Sequence, residues 1–180
     1  MLTVVRSVGR LVEARFSGNP TEADVDEWSR SCETCLKTCI AQTGKAAICA
    51  TDLRKSSLFS PKATDRLISL MRTDNKALER NAILGTGGAT FTLQLQRMFR
   101  ESSGDARRRM FIDRELALAW LDESLTPAER TRLREFVSEP DTDLTAATPD
   151  SFKSGGRPQP SQPGPEPGKR GLRAVRGGRS

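Results

Sequence analysis

The sequence contains no histidine and no tyrosine. The first absence removes the usual general base near neutral pH and the commonest metal ligand, and the second removes a further proton donor. Ser-His-Asp and Cys-His chemistry within this chain are thereby excluded. No catalytic residue is identified, so the chain is expected to be non-enzymatic and to need no cofactor. Long apolar runs are missing too: none approaches the roughly 18 residues that suggest a membrane span. The amino end, MLTVVRSVGRLVEARF, is interrupted by Arg6, Arg10 and Arg15, which leaves no signal-peptide core. A cytoplasmic protein without a transmembrane segment is expected.

Net basicity is missing from most of the chain. Residues 151–180 hold 7 Lys+Arg and 1 Asp+Glu, which accounts for the whole net charge of +6 and leaves residues 1–150 neutral. With 180 residues the chain is long enough for one domain with a real core. Beyond Ser138 hydrophobic periodicity stops and Pro, Gly, Ser, Thr and Arg take over, a composition that buries too little surface to offset chain entropy. Residues 1–138 are therefore expected to fold, and residues 139–180 to form a disordered basic tail.

What is present begins with partial period-two alternation over residues 2–8 and 10–16, with a turn at Gly9 and with Val5, Leu11 and Phe16 among the expected buried positions. Gly18, Asn19 and Pro20 break that pattern. Thr21, Glu22 and Asp24 then supply an N-cap and an acidic first turn for a helix whose stripe is Val25, Trp28, Cys32, Cys35, Leu36, Cys39 and Ile40, with Gly44 as C-cap. Residues 46–50 read as a buried strand closed by Asp52. Ser60-Pro61 opens a second helix, reaching about Leu78, with Leu67, Ile68, Leu70 and Met71 as its stripe.

Residues 81–84 form a further short strand candidate, running into a turn at Gly85, Gly87 and Gly88. Phe91, Leu93, Leu95, Met98 and Phe99 belong most simply to a third helix, although residues 90–95 also alternate as a strand would. A strand at residues 108–113 with Met110, Phe111 and Ile112, a helix carrying Ala117, Leu118, Trp120 and Leu121, and a last helix opened by Thr126-Pro127 complete the body. The order predicts an α/β fold: a single mixed sheet of about four to five strands covered by helices.

Three stretches, GRLVEARFSG, AAICATDLR leading into SLFSPKATDRLISL, and RRRMFIDRELALAWL, resemble the STAS superfamily, the sulfate-transporter and anti-anti-sigma fold, in its bacterial SpoIIAA-like branch. The likeness covers roughly residues 1–138. In anti-anti-sigma factors the turn after the central strand ends in an Asp-Ser-type pair whose serine a partner kinase phosphorylates. With Asp52 on the family's strand aspartate, that turn falls on Phe59, Ser60, Pro61 and Lys62. Pro61 or Lys62 then takes the acceptor position, and Ser60 the place of the aspartate. The resemblance implies a regulatory, protein-interaction or signalling module. Its docking surface would run over the turn from Arg54 to Lys62 and the start of the following helix, with Arg54, Lys55, Ser56, Ser57, Ser60 and Lys62 as candidates for contact with a protein partner.

Other motifs carry less. Cys32, Cys35, Cys39 and Cys49 have a count that could serve zinc or an iron-sulfur cluster, yet the first three share the apolar stripe of one helix and Cys49 lies in an apolar strand. Reduced core thiols are the expectation, with no metal. The turn at Gly85 lacks the Gly-Lys-Ser/Thr of a P-loop and a full GxGxxG, and reads as a turn. Among the carboxylates Asp52, Asp65, Asp74, Asp113 and Glu115 no pairing is evident, and Arg107-Arg108-Arg109 reads as a solvated turn entering a strand. The tail ends in KRGLRAVRGGRS. Its Lys169, Arg170, Arg173, Arg176 and Arg179 suit weak contact with nucleic acid or another polyanion, without base stacking, because no aromatic follows Phe152. A nucleic-acid-associated protein is thus the alternative reading.

Overall fold

Strand and helix alternate along the chain where its apolar pattern changes period. A computed structural model describes residues 2–102 and 106–139. The elements are β1 (Leu2–Val8), β2 (Leu11–Gly18), α1 (Glu22–Thr43), β3 (Ala47–Ser56), α2 (Pro61–Asp74), a 3-10 turn (Asn75–Ala77), β4 (Leu78–Leu84), α3 (Ala89–Glu101), β5 (Arg108–Phe111), α4 (Arg114–Asp122) and α5 (Pro127–Ser138). They build one 5-stranded sheet in the order β1-β2-β3-β4-β5. β1 and β2 are antiparallel, and β2 to β5 are parallel. The α/β class with a single mixed sheet is therefore as expected. The expected tail, residues 139–180, lies outside the described residues apart from Glu139.

Alternation along the strands divides two cores. Val12, Phe16, Cys49 and Leu53 face α1, α2 and α3. Leu11, Ile48, Ala50 and Leu84 face α4 and α5. Helix starts follow their capping chemistry. The Thr21 and Thr126 hydroxyls each form a capping box, with Asp24 and Glu129, and the Ser60 hydroxyl accepts from the Ala63 N–H ahead of Pro61.

Several expectations need correction. The second helix stops at Asp74, short of Leu78, which begins β4 after a 3-10 turn. Val5 is exposed, while Leu2 and Val4 pack on the core; β1 lies at the sheet edge, where its outer positions stay open to solvent. Asp52 does not end β3, which runs on to Ser56, because Leu53 keeps the buried alternation and two arginines neutralise the carboxylate. Ile40, Leu93 and Ile112 sit on exposed surface, at the margins of the buried stripes or beyond β5. Arg108 is buried and not a solvated turn residue: its Nε donates to Asn75 Oδ1 at 3.1 Å and its Nη2 to the Met71 carbonyl at 3.2 Å, satisfying the last turn of α2.

Candidate functional site

Phe59 fixes the segment joining β3 to α2. Its ring is buried edge-on to Phe16 at 5.9 Å and stacked near Phe91 at 6.3 Å. Its N–H donates to Gln94 Oε1 at 3.0 Å, and Gln94 Nε2 donates to its carbonyl at 2.8 Å. One α3 side chain thus replaces both ladder partners that the segment loses on leaving the sheet. With Phe59 held inward, the preceding Leu58 points out and is 49% exposed.

The six candidate contact residues divide by environment. Ser56 is buried and its hydroxyl donates to the Ser57 carbonyl at 3.1 Å. Ser57 donates its N–H to the Gly18 carbonyl at 2.9 Å and its hydroxyl to the same carbonyl at 3.1 Å. Ser60 is exposed, and its oxygen caps α2. Lys62 is exposed, 3.8 Å from Glu22, and Lys55 is exposed on β3. Arg54 is turned away from this group, toward α5. Ser56, Ser57 and Leu58 instead form one wall of an open groove of about 560 Å³, whose other wall is Thr86, Thr90 and Phe91. The groove lies at the carboxyl ends of β3 and β4, where ligand sites of open α/β sheets commonly occur. The sequence reading missed Leu58 and the α3 start. The signal was the Leu58-Phe59 pair, two apolar residues between polar ones, of which a short connection can bury one.

Arg54 belongs to an ionic cluster that ties α5 to the sheet. Asp52 accepts from Arg54 Nε at 3.0 Å, Arg54 Nη2 at 2.8 Å and the Arg54 N–H at 3.1 Å, with Arg15 Nε at 3.4 Å. The same guanidiniums reach the end of α5: Arg15 Nη2 donates to the Phe136 carbonyl at 2.8 Å and Arg54 Nη2 to the Val137 carbonyl at 3.1 Å. Positive charge there complements the helix dipole. Arg132 adds a bidentate pair with buried Glu13, at 2.8 and 2.7 Å, and reaches Glu139 at 2.7 Å. Burial opposes the Asp52 charge, but hydrogen bonds from Arg54 and the nearby Arg15 outweigh it and hold the carboxyl below its ordinary range.

The cysteines serve the core. Cys32, Cys39 and Cys49 are buried and Cys35 partly so. Burial pushes the Cys32 and Cys35 thiols up and the Cys49 thiol to about 11, which disfavours the thiolate that metal binding or nucleophilic attack requires. Among the described residues no three metal-ligating side chains gather into one group.

Asp74, the last residue of α2, borders an interior cavity of about 30 Å³ together with Trp28, Cys32, Cys49, Asn81 and Arg108. Burial raises its pKa to about 6 from 3.8, with Arg108 opposing the rise and Glu33 adding to it. The folded state therefore holds the proton more tightly than the unfolded chain. The stability linked to that proton is complete below the unfolded value of 3.8 and is lost as pH rises through about 6. Asp74→Asn is expected to raise stability at neutral pH by about 2–3 kcal/mol and to flatten the dependence of melting temperature on pH across that window. Thermal melts of both proteins over a pH series check this; an unchanged slope would remove Asp74 as its source.

Among the described residues no helix is long and apolar enough to cross a membrane. No protein-family model matches the chain, and no curated protein matches it. Among solved structures it is similar to an uncharacterized protein of the DUF3478 family from Shewanella loihica PV-4, described as having a SpoIIAA-like fold. Identity is 20%, over 67% of this chain and 92% of that one, with a TM-score of 0.48.

Proposed function

We infer that the chain is a non-enzymatic, cytoplasmic protein-interaction module of STAS-like type, which docks a regulatory partner at the carboxyl end of β3. The observation that carries this reading is Leu58. A half-exposed leucine on a connection pinned by Phe59 and Gln94 gives a preorganised apolar anchor on the wall of an open groove. Ser60 and Lys62 stand next to it as a polar rim. The groove lining contributes hydroxyl, amide and apolar groups and no carboxylate or thiol, which suits recognition better than catalysis.

A pull-down from native lysate with the full chain tests this. One protein is expected to be retained through high salt and nuclease, and Leu58→Asp to reduce its recovery by about tenfold or more. A second reading rests on the tail charge, with nucleic acid held by Lys169, Arg170, Arg173, Arg176 and Arg179. Replacing those five residues by glutamine separates the two. Capture that vanishes with that replacement, with salt or with nuclease, and ignores Leu58→Asp, favours the tail, because counterion release makes such binding steeply salt-dependent.

A further inference from the structure

Among the described residues β5 ends the sheet and has a strand on one side only. The Arg107 and Phe111 carbonyls accept from the Asn81 and Gly85 N–H groups, so alternate residues turn their backbone polar groups toward β4 and the intervening Met110 turns its N–H and C=O outward. Natural sheets blunt such edges with bulges, prolines or charges laid along them. β5 has no proline, and its pairing with β4 runs without a register shift, whereas the other strand pairs each contain one. Its two arginines do not cover the edge either. Arg108 is buried against α2, and the Arg109 guanidinium lies over the Trp120 ring at 5.1 Å.

An open groove of about 610 Å³ follows this edge, between Gln96 and Phe99 of α3 and Leu116 of α4. Ile112 and Leu116, exposed by 65% and 61%, border it, although a monomer surface would ordinarily present polar residues there. The groove has two distinct sides. Phe99 and Met110 give an apolar surface continuous with the core beneath α3. On the α4 side stands the Arg109 cation, and among the described residues the neighbouring carboxylates Asp113, Glu115 and Glu101 are engaged elsewhere: Asp113 caps α4, Glu115 pairs with Arg114, and Glu101 pairs with Arg97.

We propose that the β5 edge is a second docking site, distinct from the Leu58 groove. It takes an extended segment of a partner protein as a sixth strand, with acidic side chains beside Arg109 alternating with apolar ones over Phe99 and Met110. Main-chain pairing gives the affinity and the period-two pattern gives the selectivity. Charge decides against a second copy of the chain as occupant, because a second β5 strand brings no carboxylate to meet Arg109, only another Arg109.

The test pans a phage-displayed library of random dodecapeptides against the full chain and, in parallel, against the Ile112→Asp/Leu116→Asp double variant, whose substitutions fall on exposed side chains. Enriched peptides are expected to alternate acidic and apolar residues, to bind the double variant at least about tenfold more weakly, and to slow amide exchange at Met110. Acidic peptides held only by the basic tail would bind both proteins equally, and that result overturns the proposal. Absence of enrichment, enriched sequences without alternation, or a dimer of the full chain that the double variant abolishes would also overturn it.

Discussion

Asp52→Ala is expected to lower the stability of the folded body by about 3–5 kcal/mol, the range found when one partner of a buried ion cluster is removed. The carboxylate is 3% exposed and Arg15 9%, so water cannot take over its role. Without it, two guanidiniums converge on the end of α5 without the buried carboxylate between them, and Glu139, at 3.6 Å from Arg15, is 40% exposed. Their hydrogen bonds to the Phe136 and Val137 carbonyls then lose the group that positions them. Denaturant unfolding reads the effect. Arg15→Ala and the double variant complete a cycle in which the combined loss should fall well short of the sum, since both substitutions break one network. A loss under about 1 kcal/mol would mean that the cluster behaves as a solvated surface pair. The pH dependence has the opposite sign to that of Asp74: the Asp52 contribution is present above the unfolded value of 3.8 and is lost as pH falls through its lowered folded value.

Gly9→Ala should cost about 2–4 kcal/mol, more than backbone strain alone explains. Gly9 has φ +55, and an added Cβ would stand 2.3 Å from Glu129 Oε1. Glu129 is 2% exposed and joins the hairpin turn to the start of α5, one oxygen accepting from the Arg10 N–H at 2.5 Å and the other from the Thr126 N–H at 2.8 Å. Displacing it leaves a buried carboxylate and two N–H groups without those bonds. Gly18→Ala is the control. Gly18 has φ +83 and nothing within 4 Å of its would-be Cβ, so its loss should stay near the roughly 1 kcal/mol of conformational strain. Equal losses at the two positions would show that Glu129 yields without cost.

Local chemistry was legible in the sequence wherever a few adjacent residues decide the outcome. Thr21, Ser60-Pro61 and Thr126-Pro127 mark helix starts that the structure uses, and the apolar run around Ile48 is a covered inner strand. Features that depend on distant partners were not legible. Asp52 reads as a strand end because nothing beside it in sequence announces Arg15 or the α5 carbonyls, and with those partners in place β3 continues. Arg108 reads as solvated for the same reason, its partners being Asn75 and Met71. In the candidate site the serines were found and the leucine was missed. The choice between Leu58 and Phe59 for burial is made by Phe16 of β2 and by Phe91 and Gln94 of α3, all distant in sequence.

The strand order has a consequence for how the molecule assembles. Spatial order follows chain order from β1 to β5, so each strand joins the outer side of the one made before it and none is inserted between neighbours already paired. During synthesis the hairpin can form first and serve as a template for β3, then β4, then β5, with each connecting helix closing only a modest loop. Growth of this kind keeps one unfinished edge exposed at every stage. In the completed sheet β5, with four residues, is the shortest strand and the last to be laid down.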